Sequence, residues 1–122
     1  MNDKTKELLE RTFIFGVNVL RFLRKLPDDY IYRIPKGQLG RSSVSIGANY
    51  EEAQGAVSKR DFTNKIEISF KEAKESVYWL RVLKELYEED QYKNEFDIYL
   101  KESNELKIIF LSIKKSSSEN KE

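Results

Sequence analysis

Apolar residues recur every three or four positions through most of this chain, and no strand-like alternation is long enough to compete. The first such run spans residues 4–26, with Leu9, Phe13, Val17, Leu20, Leu23 and Leu26 on one stripe. Leu8, Phe15, Val19 and Phe22 widen it, and a helix apolar over so wide an arc has more than one partner. Gly16 in its middle costs about 1 kcal/mol against alanine, which points to a close approach by another helix. Pro27 ends the run, with Asp28 and Asp29 in the turn. Residues 27–35 read as a connection carrying Tyr30, Ile31, Tyr32 and Ile34, and Pro35 suits the first turn of the next helix.

That second helix is predicted over 36–54. Its apolar content is modest, while Gly40, Ser42, Ser43, Ser45, Gly47 and Ala48 make it rich in small residues. Such a helix is intrinsically weak and has to be held by close packing. Gly55 closes it. Ser58 is a good N-cap for a third helix, and Asp61 three residues later favours the positive end of the helix dipole. The third helix, 59–87, carries Phe62, Ile66, Ser69, Phe70, Ala73, Val77, Leu80, Leu83 and Tyr87 on one stripe, and is roughly 43 Å long. Glu88, Glu89 and Asp90 form an acidic turn before a fourth helix over 92–115, with Phe96, Tyr99, Leu100, Ser103, Leu106, Ile109, Phe110 and Ile113 facing inward. Residues 116–122 have no apolar side chain and are expected to be a disordered tail. Four amphipathic helices joined by short turns predict an all-α, antiparallel up-down-up-down bundle over residues 1–115.

Composition narrows the chemistry. The 122 residues make one domain. Absence of cysteine excludes disulfides and thiolate metal sites, and absence of histidine removes the usual metal ligand and the usual base near neutral pH. The Glu-x-x-His pattern of carboxylate-bridged dimetal bundles cannot form around Glu51, Glu52, Glu72 and Glu75. There is no phosphate loop and no nucleophile elbow. No catalytic residue, metal or cofactor is assigned, and the chain is read as non-enzymatic. The N-terminal sequence has no secretory pattern and no window is apolar enough to span a membrane, so a cytoplasmic location is expected.

Net charge is only +1, but it is unevenly spread. Residues 21–60 hold eight basic and four acidic side chains, and residues 85–105 hold two basic and eight acidic. Lys36, Arg41, Lys59, Arg60 and Lys65, with Phe62 and Tyr50 nearby in sequence, form the candidate nucleic-acid or partner surface. Arg41, Asn49, Glu52 and Glu72 form a candidate polar network between helices or subunits, the first three lying near one face of helix two. Surplus apolar residues outside the core stripes, Phe15, Val19 and Phe22 on helix one and Tyr78, Trp79 and Val82 on helix three, are the candidate oligomer contacts.

The run Ser45-Ile46-Gly47-Ala48-Asn49, then Glu52-Ala53-Gln54-Gly55, Ser58-Lys59-Arg60-Asp61-Phe62, Lys71-Glu72-Ala73-Lys74-Glu75 and Tyr78-Trp79-Leu80, with Arg41 before it, resembles the four-helix bundle proteins of the 23S rRNA intervening-sequence protein family. The match is strong over Ser42–Leu86 and rests on position and character elsewhere. Many members have proline where Gly47 stands and glycine where Ala53 stands, which suggests a subfamily. The resemblance implies a ring-shaped homopentamer with no established enzymatic activity. A related bundle, the accessory protein of diversity-generating retroelements, is strongly basic and works with a reverse transcriptase and RNA; this chain departs from it in charge. The expected function is therefore a ring-forming scaffold or adaptor that binds RNA or an RNA-handling protein. The alternative is a purely protein-binding oligomer with no nucleic-acid contact.

Overall fold

A computed structural model describes residues 1–119, and within them the chain forms four helices: α1 (Asp3–Leu23), α2 (Tyr30–Ala53), α3 (Lys59–Leu86) and α4 (Lys93–Glu119). Cross-contacts run in opposite senses along each neighbouring pair, so every neighbour is antiparallel. On α1 and α2, Gly16 lies against Val44 and Thr12 against Gly47. On α2 and α3, Ser42 meets Ser76, Ile46 meets Ser69 and Glu52 meets Lys65. On α3 and α4, Lys84 meets Asp97, Ala73 meets Ser103 and Thr63 meets Ser117. Between α1 and α4, Lys25 meets Glu95 and Arg11 meets Glu102.

The helix ends follow from side-chain caps. Ser58 Oγ accepts from the Asp61 amide at 3.0 Å, as the sequence indicates. Asp29 supplies a cap that the sequence reading passed over: its Oδ1 accepts from the Tyr32 amide at 3.0 Å, and α2 starts at Tyr30, so most of the expected 27–35 connection is helix. Pro35 accordingly lies inside α2 rather than in its first turn. Lacking an N–H, it leaves the carbonyl of Ile31 without its usual helical donor. Helix α1 stops at Leu23, three residues before the expected end. Lys25 and Leu26 fold back as tight turns onto Phe22 and Leu23, and Lys36 Nζ donates to the carbonyls of Leu26 and Pro27 at 3.2 and 3.1 Å.

The expected tail is corrected in part. Helix α4 continues through Ser116, Ser117 and Ser118 to Glu119, because the first turns of α3 lie alongside: Thr63 and Ser117 share a hydroxyl hydrogen bond. Residues 120–122 of that expected tail lie outside the described residues.

The core is a column of Leu39, Ile46, Ile66, Leu80, Leu83, Phe96, Leu106 and Phe110, closed from the α1 side by Phe15, Val19 and Phe22. This overturns the expectation that Phe15, Val19 and Phe22 are oligomer contacts, since all three are buried within the single chain. Both halves of α1's apolar arc are visible in the sequence; Leu23 and Leu26 of the expected stripe are buried, while its middle is displaced outward. Phe13 and Leu20, read as core, face out, and the second stripe faces in because its aromatic Phe22 stacks on Phe96, Tyr99 and Tyr92 of the α4 end. On α3, Trp79 and Val82 are half-buried and Tyr78 is exposed.

Among the described residues, five serines and one threonine are buried as well, and each finds a partner. Ser42 and Ser76 share a hydrogen bond at 2.8 Å, Ser69 donates to the carbonyl of Ile46 at 2.8 Å, and Ser103 donates to that of Ala73 at 3.2 Å. A hydroxyl that reaches a neighbouring helix's carbonyl satisfies itself while letting the two backbones come close. This answers how the weak, small-residue α2 is held: its neighbours approach it through serine and glycine.

Candidate functional site

The seam between α1 and α2 is built on glycine. A Cβ placed on Gly16 would stand 3.2 Å from both Cα and Cγ1 of Val44, and one on Gly47 would stand 3.0 Å from Thr12 Oγ1. Thr12 fits beneath because its hydroxyl turns back to the Leu8 and Leu9 carbonyls at 2.9 and 3.0 Å. Above this close approach lies an apolar face. Phe13 is 65% exposed, Leu20 43% and Val44 40%, with Leu9 and Val17 half-buried between them. A groove of about 420 Å³ runs over the seam between Phe13, Val17, Val44 and Ala48.

On the opposite flank of α1 the packing opens. Helices α1 and α4 touch closely where Phe22 meets Phe96 at 4.8 Å between ring centroids, but farther along they are bridged by charge. Arg11 donates to both carboxylate oxygens of Glu102 at 2.7 and 2.8 Å and to Glu105 at 2.8 Å. The Glu102 hydrogen bond dominates and raises the guanidinium's pKa against the opposing effect of its partial burial, so Arg11 is a permanent cation. Around that bridge lies a cleft of about 920 Å³ with Ile14, Phe15, Ile98 and Tyr99 on its floor and Glu7, Glu10, Glu102 and Glu105 on its rim.

The expected basic surface is not brought together. Lys36 is held at the α1–α2 turn by two backbone carbonyls, whereas Lys59 and Arg60 open α3 at the other end of the bundle. Arg41 pairs with Glu72 at 3.2 Å and with Glu75, and Lys65 pairs with Glu52 at 2.8 Å. The expected four-residue network also divides. Arg41 and Glu72 do meet, but Asn49 donates at 2.9 Å to Ser45 one turn back on its own helix, and Glu52 belongs with Lys65. The missed members are Glu75 and Trp79. Trp79 Nε1 donates to Glu75 at 3.1 Å, and Glu75 hydrogen-bonds Arg41, raising its pKa. The i, i+4 spacing of Glu75 and Trp79 was a signal available in the sequence. Tyr78 packs edge-on against Trp79 at 4.9 Å, leaving an aromatic pair at the surface of α3.

The acidic stretch 85–105 is drawn into ion pairs as well, with Lys84 on Asp97, Lys25 on Glu95 and Arg11 on Glu102 and Glu105. Among the described residues, no three acidic side chains converge as a metal site, and no helix is long and apolar enough to cross a membrane. Two exposed apolar surfaces flank α1, one over the α1–α2 seam and one in the α1–α4 cleft.

Comparisons with known proteins agree with the four-helix fold. Residues 4–112 match the sequence profile of the 23S rRNA-intervening sequence protein family. The fold is similar to the crystal structure of a protein with unknown function from the S23 ribosomal protein family of Bacteroides thetaiotaomicron, with a TM-score of 0.80 and 30% sequence identity; the match covers 92% of this chain and 98% of that one. No curated protein matches the chain.

Proposed function

Since the chain belongs to the 23S rRNA-intervening sequence protein family, we propose that it is a non-enzymatic, self-assembling scaffold, a ring of five copies, that works through protein contacts. The carrying observation is the exposed apolar face over the α1–α2 seam, centred on Phe13. Monomers seldom leave a contiguous apolar patch of aromatic and aliphatic side chains in water, and such patches mark interaction surfaces. The number five comes from the family resemblance. The resemblance to the retroelement accessory bundle, which works with a reverse transcriptase, makes an RNA-handling protein the partner of choice.

Direct RNA contact is the weaker reading. Of the five basic residues that pointed to it, Arg41 and Lys65 are paired with carboxylates and Lys36 with carbonyls, and the remaining two stand at the opposite end from Lys36.

Two measurements test the proposal. Light scattering during gel filtration should give a mass near five times the 14.4 kDa chain mass; a 14.4 kDa species at every concentration removes the scaffold. Titration with a structured RNA at about 50 and about 200 mM salt should show no steeply salt-dependent binding. A loss of about a thousandfold between the two salts would report several phosphate contacts and restore RNA as the partner.

A further inference from the structure

We propose that the ring closes head-to-tail around α1: the apolar stripe over the α1–α2 seam of one copy seats in the α1–α4 cleft of the next. This rests on the scaffold reading and names the two surfaces that it uses.

The stripe has basic ends. Lys6, Leu9, Phe13, Val17, Leu20 and Arg24 follow one another at three- and four-residue spacing, so they lie along one face of α1. Arg21 joins Arg24 at one end, and Lys6, Arg21 and Arg24 are all exposed. The cleft has the opposite character. Ile14 is 45% and Ile98 61% exposed, an apolar floor left in water, and four glutamates stand against two cations on its rim. One of those cations, Arg11, is committed to Glu102 and Glu105, which leaves Lys101 as the second cation facing Glu7 and Glu10 on that rim.

Charge decides which surface meets which. Stripe against stripe would set Lys6, Arg21 and Arg24 against the same residues of the second copy, and cleft against cleft would set glutamates against glutamates. Like charges facing each other across an interface cost affinity and suppress that pairing. Stripe in cleft covers apolar surface on both sides and brings basic ends to an acidic rim. Because the two surfaces are different patches on opposite flanks of one helix, each copy can hold two neighbours at once. Such an unlike pairing repeats around an axis and closes a ring.

The test uses Phe13→Glu and Ile98→Glu, two substitutions at exposed positions, with circular dichroism to show that each variant keeps its helices. Phe13→Glu spoils the stripe and spares the cleft; Ile98→Glu does the reverse. Each variant alone should lose the ring, with its midpoint of assembly moved at least tenfold upward in concentration. An equal mixture should give dimers of one copy of each by native mass spectrometry. One intact stripe and one intact cleft remain in that mixture, while the other pairing sets the two introduced carboxylates against each other. If Ile98→Glu assembles as the wild type does, or if the mixture stays monomeric, the head-to-tail pairing is overturned while the scaffold stands. A wild-type chain that is itself monomeric overturns both.

Discussion

Replacing Phe22 with alanine is expected to remove about 3–5 kcal/mol of stability, enough to leave a domain of this size marginal. Phe22 is 1% exposed and stacks on three rings of α4 and the turn before it: Phe96 at 4.8 Å, Tyr99 at 5.2 Å and Tyr92 at 6.3 Å. Alanine would leave a cavity and forfeit ring contacts worth about 0.5–1.5 kcal/mol each beyond their burial. The loss is concentrated, because this cluster is an apolar anchor between α1 and α4, with the ion pairs of Arg11 and Lys25 beside it. Urea unfolding at matched protein concentration should show a lower midpoint with an unchanged slope. The experiment also separates two roles for this residue. Had Phe22 been an oligomer contact, its loss would disperse the assembly and spare the single chain; a midpoint change worth less than about 1 kcal/mol would therefore sink the buried-anchor account.

Gly16→Leu is expected to destabilise by about 2 kcal/mol, even though leucine is the better helix former by close to 1 kcal/mol. The atoms that its Cβ would meet are Val44 Cα and the Ser43 carbonyl at 3.2 and 3.4 Å, and backbone cannot turn aside as a side chain can. The helices have to separate along the seam, which opens the core beneath. Gly37→Ala supplies the control, because a Cβ there meets nothing within 4 Å and the propensity gain should appear uncancelled. Thermal unfolding of the two variants should move in opposite directions. A Gly16→Leu variant more stable than the wild type would show that the seam is not tight.

The four helices, their antiparallel order, and the α3 and α4 stripes were legible because the 3.6-residue periodicity there is strong and one-sided. Helix α1 was harder. Its apolar arc is so wide that periodicity alone leaves two candidate inner faces; Leu23 and Leu26 are inside as expected, but Phe15, Val19 and Phe22 take the place of Phe13 and Leu20. The deciding term is the aromatic stacking of Phe22 on Phe96, a contact between residues far apart in the chain that no local pattern encodes. Pro35 suits a first helical turn and so points to a late start for α2, whereas the Asp29 cap, two residues after Pro27, starts the helix at Tyr30. The candidate site was legible only in kind. An excess of apolar surface is evident in the sequence; Phe15, Val19 and Phe22 of it are buried in the single chain, Tyr78 is exposed as expected, and the exposure of Phe13, Leu20 and Ile98 is seen only in the fold. Composition, likewise, revealed a basic segment without revealing that its cations would be divided between the two ends of the bundle and paired along the way.

The dependence of α2 on its neighbours also sets an order of events during synthesis. As the chain leaves the ribosome α1 comes first, but its Phe22 has no aromatic partner until Phe96 and Tyr99 follow. Next comes α2, whose glycines and serines give it little tendency to hold a helix in water on its own. It condenses only when Ser69 and Ser76 of α3 arrive to meet it. For most of its time on the ribosome the nascent chain therefore carries Phe22 without the rings that bury it, a window in which a holding chaperone has an apolar segment to grasp.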